Sequence, residues 1–425
     1  MRKCGKLFCM VMTTAVLSSA LAGCASSKSS VSVGSTPAVV EEKEVTIRVE
    51  TTFTGADPYT AVWQQALKDF QTKYPKIKVV DEATSAASEA FKTKINTDFA
   101  SGNEPDVTYG FNGAAGKPLV ESGKEITWES ELAKDPAWQA NFKKAPLEAV
   151  KDNGKLYALP YIGFIEGMWI NLDVFKNNGL EVPKTYDDIL KDIPVLNAAK
   201  ITPIACSFAE EPHYLIETLL LSMGGVAGHA KAFDASWAPA LALAKDLYDK
   251  KAFTADALTI KQASCAQLFS DKKAAMFISG SWSGGAFKDK ENTSIIPLPL
   301  VPGAKAGAND IIGGAGTGWY VTKALNDSKN GAGVKFVKFM TQPEQLAKFV
   351  DLGGVPLENV PASTTGGAMA KNVNDFMTNA TSMNGPAGDA MNQEAFTTIW
   401  KGMQYIVAGR KTSQQVLDDA QKLAK

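Results

Sequence analysis

VTIRVETTFTGADPYTAVWQQALKDFQTKYPKIKVV, residues 45–80, is the stretch that decides the fold. Its first nine residues alternate β-branched and polar side chains, the period-2 pattern of a strand. Asp57 then supplies an N-cap and Pro58 a first-turn proline for a helix running through Tyr74. Val62, Ala66, Leu67 and Phe70 fall at helical spacing within it, and KIKVV (76–80) returns to strand. Beyond the quoted stretch, Ala90, Phe91, Ile95 and Phe99 mark a second helix that stops before Gly102. DVTY (106–109) is a third strand. The order β-α-β-α-β predicts a mainly parallel sheet, with ligand loops at the carboxyl ends of its strands.

Those loops are FTGADP (53–58) and GFNGAAG (110–116), small, polar and glycine-containing. Asp57 and Asn112 carry their hydrogen-bonding side chains and are candidate ligand contacts. A helix cap for Asp57 and a turn for Asn112 are equally weighted alternatives.

The 425 residues carry 44 Lys and Arg against 45 Asp and Glu, and 45% of them are hydrophobic, enough for two domains or lobes. Near-neutral charge without basic blocks excludes nucleic acid as the main partner. His213 and His229 are the only histidines, and neither has Cys or carboxylate neighbours at ligand spacing, so no metal site or cofactor is expected.

At the N-terminus Arg2, Lys3 and Lys6 precede an apolar run from Leu7 to Leu21. The run is short for a membrane span and is broken by Thr13, Thr14, Ser18 and Ser19. It ends in LAGC (21–24), which resembles a bacterial lipoprotein signal. That resemblance implies a leader over 1–23, cleavage before Cys24, and lipid on its sulfur and new amino end. Two or more acyl chains would give a durable membrane anchor on the extracellular face. Residues 24–44, rich in Ser with Gly and Pro, read as a flexible tether. Cys206 and Cys265 remain in the folded body, as a disulfide or as two buried thiols.

The middle of the chain, NGKLYALPYIGFIEGMWINLDVFKNNGLEVPKTYDDIL (153–190), resembles the signature segment of family 1 extracellular solute-binding proteins of ABC transporters. The resembling elements are Gly154–Tyr157, Leu159–Tyr161, Trp169–Asn171 and Pro183–Tyr186. LFSDKKAAMFISGSW, IPLPLVPGA, GGAGTGWYVTK and KFVKFMTQPEQLAKF continue the pattern in the family's order. The resemblance implies an α/β periplasmic-binding-protein type II fold, two discontinuous lobes joined by a hinge with a cleft between them. It puts the chain crossings near Ala158, Pro299 and Gly354, giving one lobe of 45–158 with 299–354 and another of 159–298 with 355–425. It also implies a monomeric, non-enzymatic binder that closes on a carbohydrate and passes it to permease transmembrane subunits.

Within the family the chain is similar to the maltose- and oligosaccharide-binding branch. EEPHYL (210–215) resembles a sugar-contacting Glu-Pro-Tyr element, which nominates Glu211 as an acceptor for sugar hydroxyls. His213 stands where that element has tyrosine and Tyr214 is next door, so the aromatic role stays open between them. FISGSWSGG (277–285) holds Trp282 among glycines and serines, which lets backbone approach a ligand and leaves a ring face uncovered. The resemblance makes Trp282 a platform for sugar. Phe396 and Trp400 in the last aromatic helix, and Phe164 with Glu166 on one strand face, are further candidates. Ile399, Met403, Ile406 and Val407 read as that helix's buried stripe, and Trp319 as packing. GFNG lacks the Trp and the Asp-Arg pair of that branch, which leaves contacts from the first lobe undefined. GGAGTG (313–318) lacks the Gly-Lys-Thr ending of a phosphate loop and runs into a strand, which rejects that function. The alternatives are a non-sugar solute, service to a sensor kinase, and an extracellular glycosidase; the last lacks a supporting acid-base motif.

Overall fold

The computed structural model describes residues 43–86, 89–360 and 367–424. The expected leader, Cys24 and all but the end of the tether lie outside them.

The opening stretch folds as its pattern requires. Strand β1 (Val45–Glu50) leads into helix α1 (Thr60–Lys73), then β2 (Ile77–Asp81), α2 (Ala90–Ser101) and β3 (Val107–Phe111). β1 pairs in parallel with β2 on one side and β3 on the other. α1 buries Trp63, Ala66 and Phe70. α2 ends at Gly102 in the left-handed conformation, as the glycine predicts. α1 starts two residues later than expected: the Asp57 carboxylate accepts from the Tyr59 N–H at 2.8 Å, a turn that precedes the helix rather than capping it.

Two sheets result. The first has the order β2-β1-β3-β10-β4, with β10 (Thr317–Val321) antiparallel to both β3 and β4 (Leu159–Pro160). The second is built on the long strand β5 (Ile162–Asn171). It has the order β12-β9-β5-β7-β6, where β6 is Thr202–Ala205, β7 Ala274–Gly280, β9 Asp310–Gly314 and β12 Ser382–Asn384. β8 (Thr293–Ile296) and β11 (Val355–Pro356) also pair with β5. Each sheet has its own apolar core. Trp63, Phe70, Trp319 and Phe336 fill the first, and Met168, Leu219, Trp237 and Met403 belong to the second. Trp319 is fully buried and stacks on Trp63 at 6.2 Å.

Sheet membership moves two of the expected crossings. β4 still belongs to the first sheet, so the chain leaves it at Tyr161 rather than Ala158. β9 belongs to the second sheet, so the return falls at Ala315–Gly316 rather than Pro299. The Leu-Pro segment read as a boundary only links β8 to β9 within one sheet. GGAGTG is thus one of the connections between the sheets, beside that at Tyr161. Cβ atoms at Gly313 and Gly318 would lie within 2.7 and 2.8 Å of the carbonyl oxygens of Phe164 and Leu159. Glycine lets the two connecting strands cross in contact.

Cys206 and Cys265 are free and buried. Burial raises both thiols well above their usual range, Cys265 to about 12, which holds them protonated and inert.

Candidate functional site

Between the two sheets lies a cleft of about 1130 Å³. The structure brings all ten predicted site residues onto its wall. Asp57 and Asn112 come from the loops after β1 and β3. Phe164 and Glu166 lie on β5. Glu211, His213 and Tyr214 lie at the start of the His213–His229 helix, and Phe396 and Trp400 on the Gln393–Val407 helix. Trp282 stands on the short Ser281–Ala286 turn that ends β7.

Trp282 is half-buried, neither sealed in a core nor free. Its ring meets Tyr214 edge-on at 5.4 Å and Phe164 at 6.0 Å. Its six-membered ring also covers Gly280, where a Cβ would come within 1.9 Å. Gly280 therefore sets the ring's position without contacting the cleft. Gly280→Ala should displace the indole and weaken ligand binding about tenfold, read by calorimetry. Unchanged affinity would show that the ring's pose is irrelevant.

Both residues of the tyrosine-or-histidine alternative line the wall, their rings tilted against each other. His213 lies 4.1 Å from Tyr214 and 5.2 Å from Trp400, centroid to centroid. Burial, helped by Lys92, lowers the His213 ring to about 3, so it is a neutral aromatic here. Phe396 and Trp400 are each 8% exposed, at the edge of the core whose stripe Ile399, Met403, Ile406 and Val407 fill as the spacing predicts.

Asn112 has a structural duty as well as a place on the wall. Its amide donates to the Ala315 carbonyl at 2.6 Å, and its oxygen accepts from the Tyr320 hydroxyl at 3.1 Å. The first bond ties the first lobe's loop to the connection between the sheets, and the second ties it to β10 of its own sheet.

Several cleft residues were missed by sequence reasoning. Glu217, 1% exposed, lies one turn beyond His213 and faces Glu166, 5% exposed. Burial first, then the Glu217 charge, pushes Glu166 far above the carboxylate range. Burial also raises Glu217, against its hydrogen bond with Glu166. The two therefore hold a proton between them. Burial raises Asp57 and Glu211 to about 7, opposed by the Tyr59 N–H and the Tyr214 hydroxyl respectively. A carboxylate inside LIETLLL (215–221) was a visible signal for Glu217, because an unpaired charge is rare in so apolar a helix. Lys92 and Asp389 gave no local signal. Lys92 bonds Glu89 at 3.1 Å and lies 5.2 Å from the centre of the Phe111 ring. The first lobe thus does contribute an aromatic and a cation to the wall. Asp389 reaches across to the Ala114 N–H at 3.2 Å, and Gln393 to Glu89 at 3.2 Å, so the halves touch at the rim. No group of His, Cys, Asp and Glu among the described residues is arranged to hold a metal ion.

The arrangement suits a polar guest with apolar faces. Rings cover C–H surface while carboxyl and backbone groups take hydroxyls, and both sheets border the guest at once.

Comparison with known proteins agrees with this geometry. The family described as bacterial extracellular solute-binding protein matches residues 56–347. A multiple sugar-binding protein of Streptococcus mutans is 27% identical over 354 residues, 79% of each chain. A maltodextrin-binding protein of Bacillus subtilis is 23% identical over 440 residues, 98% of this chain and 96% of that one. Among solved structures, a chitin oligosaccharide binding protein superposes with a TM-score of 0.80 at 22% identity, covering 90% of this chain and 98% of its own. The fold they share is the type II arrangement of two α/β lobes about a cleft.

Proposed function

Because the chain belongs to the bacterial extracellular solute-binding protein family, we propose that it captures an oligosaccharide by hinge closure and delivers it to the permease of an ABC importer. Lipid on Cys24 would hold it at the outer face of the cell membrane. No helix among the described residues is long and apolar enough to cross a membrane.

The observation that carries this reading is the ring-lined cleft between two sheets. Ligand contacting both lobes stabilises the closed state in proportion to its differential affinity. The relatives named for multiple sugars and maltodextrin favour a saccharide as the guest. Hydroxyls paired with buried polar groups would supply selectivity, since a wrong stereoisomer leaves those groups unpaired.

A glycosidase would need two carboxyls on opposite sides of the scissile bond, about 5–10 Å apart. Glu166 and Glu211, the conceivable pair, lie on β5 and just before the His213–His229 helix, both on the second lobe and with no supporting acid-base motif. We infer that the protein binds sugar and returns it intact.

A thermal-shift screen of the body from Val45 onward against a saccharide panel tests the reading. Ligand at 100 times its Kd should stabilise the native state by about 2.7 kcal/mol. A panel with no active sugar, beside a clear response to a non-sugar metabolite, would overturn the substrate while leaving the fold intact. Recovery of the active sugar uncleaved after long incubation separates binding from hydrolysis.

A further inference from the structure

The return crossing between the sheets is held from two sides. Strand β9 ends at Gly314, which lies opposite Phe164 of β5 in the second sheet. The next two residues are tied to the first lobe. The Asn112 amide donates to the Ala315 carbonyl at 2.6 Å, and the Asn112 backbone N–H donates to the Gly316 carbonyl at 2.9 Å. Gly314 therefore sits where one attachment ends and the other begins. Its φ is +146°, a conformation that residues with side chains rarely adopt. A Cβ at Gly314 would meet nothing within 4 Å. The glycine is needed for backbone freedom and not for space, as a position that absorbs dihedral change requires.

At Gly316 space is what matters. The three nearest neighbours of a Cβ there would all be atoms of the Phe164 ring, the closest at 2.5 Å. The same ring meets the indole of Trp282, centroid to centroid at 6.0 Å and tilted by 57°. One ring on the second lobe thus touches both a segment bonded to the first lobe and the aromatic that stands on the cleft wall.

We propose that Phe164 is a positioning residue that couples a pivot at Gly314 to the Trp282 platform. Rotation of the lobes slides Gly316 across the Phe164 ring, and the ring resets the indole. The proposal rests on the hinge closure and sugar binding proposed above, and it names the part that links them. Close packing transmits such a displacement, because a ring cannot be compressed and must move as a body. The coupling is reciprocal. If closure sets the indole for a sugar, then sugar on the indole favours closure by the same factor.

Fluorine NMR of the full folded body, grown with 5-fluorotryptophan, tests the link without a ligand. Trp282→Phe identifies the Trp282 resonance. Gly316→Ala adds one methyl against the Phe164 ring, at a residue whose φ lies outside the left-handed region. Asn112→Ala removes a bond that ties the segment to the first lobe. Each change should move the Trp282 resonance in the parent protein and leave it in place in the Phe164→Leu background. Calorimetry with neutral oligosaccharides, maltotetraose first, reads the same cycle as affinity. Gly316→Ala should weaken binding about tenfold in the parent and less than about twofold in the Phe164→Leu background. A Trp282 resonance indifferent to both changes, or moved equally in the two backgrounds, overturns the coupling and leaves the saccharide reading standing. Additive losses of affinity overturn it as well. Silence toward every sugar removes the saccharide reading, while the fluorine comparison, which uses no sugar, still decides the coupling. Either of the two changes suffices for that comparison, so a variant that fails to fold does not shield the idea.

Discussion

Trp282→Ala should weaken binding of the cognate sugar about 100-fold, or ~2.7 kcal/mol. The ring is half-buried and meets Tyr214 and Phe164 at its edges, so it is oriented before ligand arrives. A platform fixed in advance loses little conformational freedom on binding, which is why a single aromatic can carry so much of the affinity. The same position makes the folding cost small. Trp282 packs beside both cores and belongs to neither, whereas Trp319 is wholly enclosed. The melting temperature of the empty protein should move by only a few degrees, against the larger loss expected for a core tryptophan. Calorimetry and melting of the two proteins side by side check both halves. A large drop in unliganded stability with affinity intact would place the ring in the core and remove it from the site.

The second large effect concerns stability and pH. Glu358, just past β11, is 1% exposed, and neither carboxyl oxygen has a partner. Burial pushes it up to about 9. Its folded value exceeds its unfolded one, so its contribution is fully present below the unfolded value and fades as pH rises toward about 9. Within that window each pH unit costs about 1.4 kcal/mol, because folding must take up a proton from an ever scarcer supply. Glu358→Gln carries no such cost. At pH 4 the two proteins should unfold alike in urea. At pH 7 the glutamine form should be more stable by roughly 3 kcal/mol. Glu125, likewise raised by burial to about 8 against a hydrogen bond with Thr322, adds to the same trend in the parent protein. Parallel pH profiles for parent and variant would show that Glu358 is charged and paired in the folded state.

These groups show where local sequence stops informing. The alternation from Val45 and the helical spacing of Ala66 and Phe70 are near-neighbour patterns, and the structure keeps them, although the strand stops at Glu50 rather than Phe53. Trp282 stood out because glycine and serine surround it, and Glu211 because its motif resembles a known one. Lys92 and Asp389 had nothing comparable. They are separated by nearly three hundred residues and approach each other only because the halves close at the rim. Asn112 was legible as a polar loop residue, but its tie to Ala315 depends on β10 lying beside β3.

By itself, then, the sequence determined the element order, the parallel start of the first sheet, the family, and the cluster of rings and acids offered to a guest. Those are matters of periodicity, turn chemistry and motif, all written over spans of a few residues. Only tertiary structure decided that β10 enters the first sheet antiparallel and that GGAGTG joins the sheets. It alone brought Glu166 against Glu217. Strand pairing across more than two hundred residues follows from the burial of whole faces, and no local period records which faces will meet.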